Sequence, residues 1–304
     1  MNYADEMTEQ LLTVPVTIPM PLKTIPTMKM SDDIFHQIRE YIYVQTGIYF
    51  QDNKKYLLEG RLSKRMQILN LPTFEAYHQL IKFGTRRNEE MKYLYDAVTI
   101  NETFFFRNEP QFEAFEHTLV PQIVASKRSP GRTTLRVWSA ASSSGEEAYT
   151  IAMLYLEKLK PAYPFLDIEI VGTDINSSVI ETARQGVYRE YSVRNMPKYY
   201  LQKYFTGEDQ KYTLDERVRS LVRFDNMNLY DRQRMRLMMR FDIIFCANVL
   251  IYFDAKSKIQ VVSGLYDALN TGGFLFIGYA ESLHGISTAF KLVNFPKTVA
   301  YKKE

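Results

Sequence analysis

The chain has 304 residues, of which 46% are hydrophobic and 24% charged, with a formal charge of +3. That length accommodates two compact domains around a substantial core, and the charge is too small to argue for nucleic acid, so any electrostatic steering must come from local patches. The single cysteine, Cys246, excludes a disulfide framework or a Cys-rich metal site and sits in an apolar run as a small core residue.

The N-terminus has no basic stretch followed by an apolar core, and no apolar run approaches the ~20 residues needed to span a bilayer. A soluble, cytoplasmic protein with no direct membrane insertion is expected. Residues 1–30 carry Pro15, Pro19, Pro21 and Pro26, which remove backbone donors and read as an extended or disordered leader.

Ser31 reads as an N-cap with Asp32 and Asp33 in the first turn, followed by Ile34, Ile38 and Ile42 at helical spacing. A second helix is expected over about 53–69, with Leu58, Leu62, Met66 and Leu69 as its inner stripe. Pro72 and Thr73 open a third around Phe74, Tyr77, Leu80 and Ile81, and a fourth runs from about Glu89 to Thr99. Residues 31–100 thus read as a small all-helical domain, with 101–130 a linker and helix. From 131 to 304 the pattern changes to alternating strands and helices. Strands are expected at Leu135–Trp138, Ile168–Val171, Phe241–Phe245, Phe274–Ile277 and Thr298–Tyr301, with Asn176 capping a helix after Asp174. This alternation implies a doubly wound, mostly parallel sheet covered on both faces. Residues 205–224 interrupt it, and Tyr212–Leu214 with Leu221–Phe224 read as strands of a small hairpin or sheet.

In an open α/β sheet, ligands bind beyond the carboxyl ends of the strands. The loop Ser139–Gly145 occupies that position, and its small side chains let backbone approach a ligand, although the G-x-G-x-x-G fingerprint is missing. Asp174, between a strand and a helix, can accept bonds from a ribose diol or act as a cap. Residues 54–65 hold Lys54, Lys55, Arg61, Lys64 and Arg65 against one carboxylate, Glu59. Lys54, Arg61 and Arg65 can share a helical face, read either as solvated or as a docking surface for an acidic partner. Charge alone leaves RNA as a competing partner.

Four segments carry a more specific message. They are Asn-Glu-Thr-Phe-Phe-Phe-Arg (101–107), Trp-Ser-Ala-Ala-Ser-Ser-Ser-Gly-Glu-Glu (138–147), Val-Gly-Thr-Asp-Ile (171–175) and Cys-Ala-Asn-Val-Leu-Ile-Tyr-Phe (246–253). Their order, wording and spacing resemble the CheR family, S-adenosylmethionine-dependent methyltransferases that esterify glutamates on chemotaxis receptors. The resemblance runs from about residue 31 to the C-terminus. It implies a methyltransferase (Rossmann-like) α/β fold with a small β-subdomain at about 205–224, and S-adenosylmethionine as cofactor with S-adenosylhomocysteine as product. No metal is implied. The implied partner is the cytoplasmic helical region of chemoreceptors (methyl-accepting chemotaxis proteins), not nucleic acid, and the protein is expected to act as a monomer in sensory adaptation.

Residue by residue, the resemblance gives Asp174 to the cofactor's ribose and Glu147 to a second acidic contact. It places Asn228, Leu229, Asn248 and Val249 around the adenine and methionine ends, and adds Asn101, Thr103 and Arg107 from the interdomain segment. Phe104, Phe105 and Phe106 read as packing. Arg107 either steers the acceptor carboxylate or binds the cofactor's own, and Tyr252 either donates to the acceptor or lines the pocket. The basic helix matches the one that recognises the receptor's acidic methylation region. Some relatives grip a receptor pentapeptide with a Gly-rich loop of the β-subdomain; that loop is absent here, so a tether-independent version is expected. Ala247 stands where many members have arginine, and Ala148 where proline is common. A glutamate acceptor, with a reference pKa of ~4.3, is already ionised at neutral pH and needs no general base. The rival readings are methyl transfer to RNA or a small molecule, and a degenerate homologue kept as a scaffold, for which Ala247 is the support.

Overall fold

A computed structural model of the protein describes residues 28–127 and 133–304. The leader expected at 1–30 lies outside the described residues as far as position 27.

Helices α1 (Asp32–Thr46), α2 (Lys55–Ile68), α3 (Phe74–Phe83) and α4 (Arg87–Val98) build the N-terminal unit. Ser31 Oγ accepts the amide of Ile34 and Thr73 Oγ1 that of Ala76, so both expected caps satisfy orphan donors of a first turn. Gly47, at φ +72°, ends α1 in the left-handed conformation that an L side chain resists. Ile34, Ile38, Ile42, Leu58, Leu62, Met66, Phe74, Tyr77 and Ile81 are buried together in one cluster. Burial of each such side chain contributes about 1.5–3 kcal/mol.

This core also contains an ion pair. Arg65 reaches across to Glu90, with Nε–Oε1 2.9 Å and Nη2–Oε2 2.7 Å, and Tyr77 donates its hydroxyl to the same carboxylate at 3.0 Å. Only 3% of Glu90 is exposed, and the guanidinium stacks 3.6 Å from the centroid of Tyr93. Arg65→Ala is therefore expected to lower stability by about 3–5 kcal/mol, because the charge of Glu90 stays buried without its partner. Thermal denaturation would show this, and a loss under 1 kcal/mol would contradict it.

The remainder forms ten strands among the described residues. In chain order they are β1 (Thr133–Ala140), β2 (Leu166–Asp174), β3 (Val187–Arg189), β4 (Phe205–Glu208) and β5 (Lys211–Leu214). These are followed by β6 (Val222–Asn226), β7 (Phe241–Cys246), β8 (Leu269–Ile277), β9 (Phe290–Phe295) and β10 (Thr298–Lys303). One sheet runs β6-β2-β1-β7-β8-β10-β9, parallel through β8 and antiparallel over the last two. The strand expected at Leu221–Phe224 is thus not part of a hairpin. It is β6, the parallel edge of the large sheet, paired with β2 from Val222 to Asn226. The small sheet is β3-β5-β4, so it recruits the three-residue β3 from well before residue 205.

The parallel strands progress outward from β1 to β6, and the chain then returns to β7 on the other side of β1. The switch point lies between the carboxyl ends of β1 and β7, where the adjoining loops part to leave a crevice. The helical unit sits against this end of the sheet. Tyr49 donates its amide to Tyr252 O at 3.0 Å, Tyr43 its hydroxyl to Asp254 at 3.0 Å, and Asn228 its side-chain amide to Gln45 O at 2.8 Å. Asp96 on α4 accepts the amide of Ser177 at 2.8 Å and the hydroxyls of Ser177 and Ser178. The end of α4 thereby caps the helix Ser177–Gln185, which follows β2.

Candidate active site

A cavity of about 230 Å³ opens at the switch point, between the helical unit and the strand ends. Four stretches distant in sequence supply its walls.

The loop after β1 forms the floor. Ala141 and Ser143 adopt φ of +60° and +51°, and Gly145 reaches +91°. A Cβ on Gly145 would lie 2.8 Å from the ring of Phe224, so only glycine fits that turn. The turn is tied to β2: Ser142 donates its amide to Thr173 O at 2.7 Å, and Ser143 donates its amide to Asp174 Oδ2 at 2.9 Å. Asn176 bonds the other carboxylate oxygen at 2.9 Å. Burial nevertheless pushes the Asp174 carboxyl up to about 6, against the opposing pull of these backbone donors.

Glu146 and Glu147 open the helix Glu146–Leu154 and point different ways. Glu146 is buried, and Ser144 and Ser192 donate their hydroxyls to it. Glu147 lines the cavity and accepts the hydroxyl of Ser139 at 2.6 Å. Burial raises the Glu147 carboxyl to about 7, while the Ser139 bond and the charge of Arg107 oppose that rise. Arg107 also acts on Tyr252, whose hydroxyl is raised by burial and held down in part by Arg107 and Arg61. The Arg107 guanidinium thus lies within electrostatic reach of both Glu147 and Tyr252, and it donates to Glu102 O without an ion pair among the described residues.

Asn101, Thr103 and Arg107 line the cavity from the interdomain segment, Asn228 and Leu229 from the turn after β6, and Asn248, Val249 and Tyr252 from the turn after β7. The fold therefore gathers every cofactor and catalytic candidate around one space. Asn228 holds a special place among them. Its side chain is spent on Gln45 O and the amide of Tyr230, so it braces the wall and offers the cavity its backbone. Of the three phenylalanines, Phe105 is fully buried against Tyr188 and Phe205, Phe106 packs on Tyr200, and Phe104 lines the cavity under Arg194.

The basic helix presents less charge than its composition implies. Arg65 is committed to Glu90, Lys55 to Asp32 at 2.6 Å, and Arg61 donates to Val98 O at 2.8 Å, beside the cavity. Lys54 and Lys64 remain exposed, without an ion pair among the described residues. The shared face expected for Lys54, Arg61 and Arg65 is broken up because α4 packs on α2 and sets Glu90 opposite Arg65.

Residues not foreseen complete the site. Thr46, Ile48, Val98 and Thr99 extend the cavity into the helical unit. Glu281, after β8, collects three backbone donors: Gly278 at 2.6 Å, Asn248 at 3.0 Å and Ile251 at 3.1 Å. It holds Asn248 at φ +63°, a conformation uncommon outside glycine. A Cβ on Gly278 would meet Asn248 N at 2.7 Å, so the loops after β7 and β8 touch there.

Comparison with known families matches residues 33–99 to the family described as "CheR methyltransferase, all-alpha domain" and residues 101–299 to "CheR methyltransferase, SAM binding domain". The chain belongs to the CheR methyltransferase family. The boundary between the two CheR matches falls at Ile100, where α4 gives way to the segment that enters the cavity. The chain is 37% identical over 275 residues to "Chemotaxis protein methyltransferase 2" of Vibrio cholerae, which covers 90% of this chain and 94% of that one. It is 32% identical over 259 residues to the "Chemotaxis protein methyltransferase" of Borreliella burgdorferi, covering 85% and 91%. With "Chemotaxis protein methyltransferase 1" of Pseudomonas aeruginosa it shares 30% over 279 residues, covering 90% and 99%. Among the described residues of this CheR chain, no helix is long and apolar enough to cross a membrane.

Proposed function

We propose that the protein transfers the methyl group of S-adenosylmethionine to glutamate side-chain carboxylates in the helical cytoplasmic region of chemoreceptors, giving methyl esters. The observation that carries this reading is that Arg107, Glu147 and Tyr252 line one cavity, with the Arg107 guanidinium committed only to a backbone carbonyl, that of Glu102.

The lining fits the cofactor on its own chemistry. Glu147 offers a carboxylate for an ammonium group, and Asp174 presents another at the strand end where a ribose diol would lie. Met227, Leu229 and Val249 give an apolar slot suited to a purine, and Ser142 Oγ is buried with no hydrogen-bond partner among the described residues. When bound, the cofactor supplies a methyl on a positively charged sulfonium, which leaves as a neutral thioether.

The chain's residues then have three tasks. Arg107 can orient the acceptor carboxylate through its donor fork, with Tyr252 beside it. The cavity walls exclude water, so the attacking oxygen is less solvated. Fixed placement of the acceptor in line with the methyl–sulfur bond supplies ~7–11 kcal/mol of the barrier reduction. Nothing in this scheme requires a proton to be removed, since the acceptor is already an anion.

We also propose that recognition is independent of a receptor tether. The support is the connection between β4 and β5, a two-residue turn of Asp209 (φ +48°) and Gln210 (φ +59°), the tight mirror-image hairpin type. It leaves no Gly-rich loop to enfold a peptide.

The test is transfer of radiolabelled methyl to receptor-rich membranes, followed by alkali treatment. Alkali-labile label on a receptor-sized band is the expected result. Label stable to alkali, or found in RNA, would point to a different acceptor. Absence of any label, with cofactor binding verified, would favour a scaffold.

A further inference from the structure

The mouth of the cavity is not uniform. Its interdomain side carries Arg107, with Arg61 nearby on α2 and Arg194 stacked between Phe104 and Tyr191 at 3.8 and 3.6 Å from the ring centroids. The side built from the loops after β7 and β8 differs. Residues 247–253 and 278–280 contain no charged side chain. The acid on the second of these loops, Glu281, accepts three backbone amides. Glu102 stands on the Arg107 side, where the Tyr191 hydroxyl and the charges of Arg107 and Arg194 hold its carboxyl below the usual range, so the cations there outnumber it. Two large apolar side chains stand exposed on these loops: Ile251, 54% exposed and lining the cavity, and Tyr279, 92% exposed. A near-fully exposed aromatic is expected to be mobile on a loose loop. Here it follows Gly278, whose amide is held by Glu281 and whose Cα is pressed against Asn248. The same carboxylate accepts the amide of Ile251, so Glu281 ties together the two loops that carry Ile251 and Tyr279.

We propose that Tyr279 and Ile251 form an apolar lip that receives a non-polar side chain of the substrate helix, about one turn from the glutamate being methylated. The inference rests on the substrate reading given above. A glutamate carboxylate stands only two methylene groups from its Cα, so a helix delivering it into the cavity must lie across the rim. Residues three and four positions away then meet the rim on either side. The basic side suits an acidic neighbour. The lip, with alanine rather than a cation at position 247, suits an apolar one. The substrate segment that fits is therefore amphipathic about its target glutamate, acidic toward Arg107 and non-polar toward Tyr279. An exposed aromatic on a preorganised loop loses little conformational freedom on binding, which makes it a suitable anchor.

The experiment is steady-state transfer to receptor-rich membranes by the full chain carrying Tyr279→Ala or Tyr279→Phe, with cofactor affinity measured separately. Tyr279→Ala is expected to raise the KM for receptor about tenfold, with kcat within a factor of two and cofactor affinity unchanged. Tyr279→Phe is expected to restore the wild-type KM, since the apolar ring is retained. Wild-type KM in Tyr279→Ala would overturn the lip, and so would Tyr279→Phe failing as badly as alanine, which would assign the contact to the hydroxyl. Failure of the wild type itself to form an alkali-labile receptor ester would overturn the underlying substrate reading, a result distinct from either of these.

Discussion

The Arg107→Ala variant is expected to bind S-adenosylmethionine nearly as tightly as the wild type and to transfer its methyl about 10²–10³-fold more slowly. The guanidinium acts on two groups that line the same cavity, the Glu147 carboxyl and the Tyr252 hydroxyl, and is spent on neither. Its fixed internal bond, to Glu102 O, uses one of its donors and leaves the rest of the fork for an anion. An acceptor carboxylate held there is oriented without being neutralised. Too strong a grip would stabilise the ground state and slow the reaction, and the half-buried setting moderates it. Arg107→Lys keeps the charge and loses the fork, so partial recovery is expected. Calorimetry of cofactor binding alongside kcat measurement decides the matter. A large loss of cofactor affinity in Arg107→Ala would instead assign the guanidinium to the cofactor's own carboxylate.

Glu147→Gln is expected to stabilise the folded protein above pH 7 and to weaken cofactor binding at the same pH. The carboxyl of Glu147 is raised by burial from 4.5 to about 7 in the folded protein. Between those values the folded protein holds a proton that the unfolded chain has released. Stability therefore falls as pH rises through this window, and it is fully present only below the lower value. Glutamine cannot ionise and can still accept the Ser139 hydroxyl, so it escapes the loss. The gain should be absent near pH 4 and reach about 2 kcal/mol above pH 7, allowing for solvent in the cavity, or a few degrees in Tm. Binding moves the other way. In the wild type, affinity for a cofactor bearing an ammonium should drop as pH falls below about 7 and Glu147 takes up its proton. In Glu147→Gln, affinity should be lower and nearly flat with pH. Equal Tm gains at pH 4 and pH 8 would contradict the account.

Much of this architecture is written in local pattern. The α1 cap at Ser31, the Thr73 cap and the buried isoleucines of α1 follow from spacing that any helix obeys. Asp174 and the small-residue loop are legible as cavity-lining because strand-end position alone brings them to the crevice at the switch point. Other features depend on pairings that local pattern does not carry. Leu221–Phe224 has the alternation of a strand wherever it pairs, and only the sheet shows that its neighbour is β2. Arg65 reads as a surface cation until Glu90, twenty-five positions away, is folded against it. Glu281 bonds backbone amides of other loops, and backbone amides are the same in every sequence, so nothing in its own surroundings announced it.

The seat of Asp96 has a consequence for how such enzymes can be recombined. Its carboxylate serves the first turn of the helix Ser177–Gln185, whose cap residue, Asn176, also holds Asp174 in place through its amide. The helical unit therefore completes a neighbour's structure besides offering a surface of its own. In a chimera that grafts the helical unit of one relative onto the catalytic unit of another, an acid at this position must come with the graft. Without it, Ser177 and Ser178 would lose their acceptor, and Asp174 would rest on an unfinished helix end. The two units are matched halves of one container.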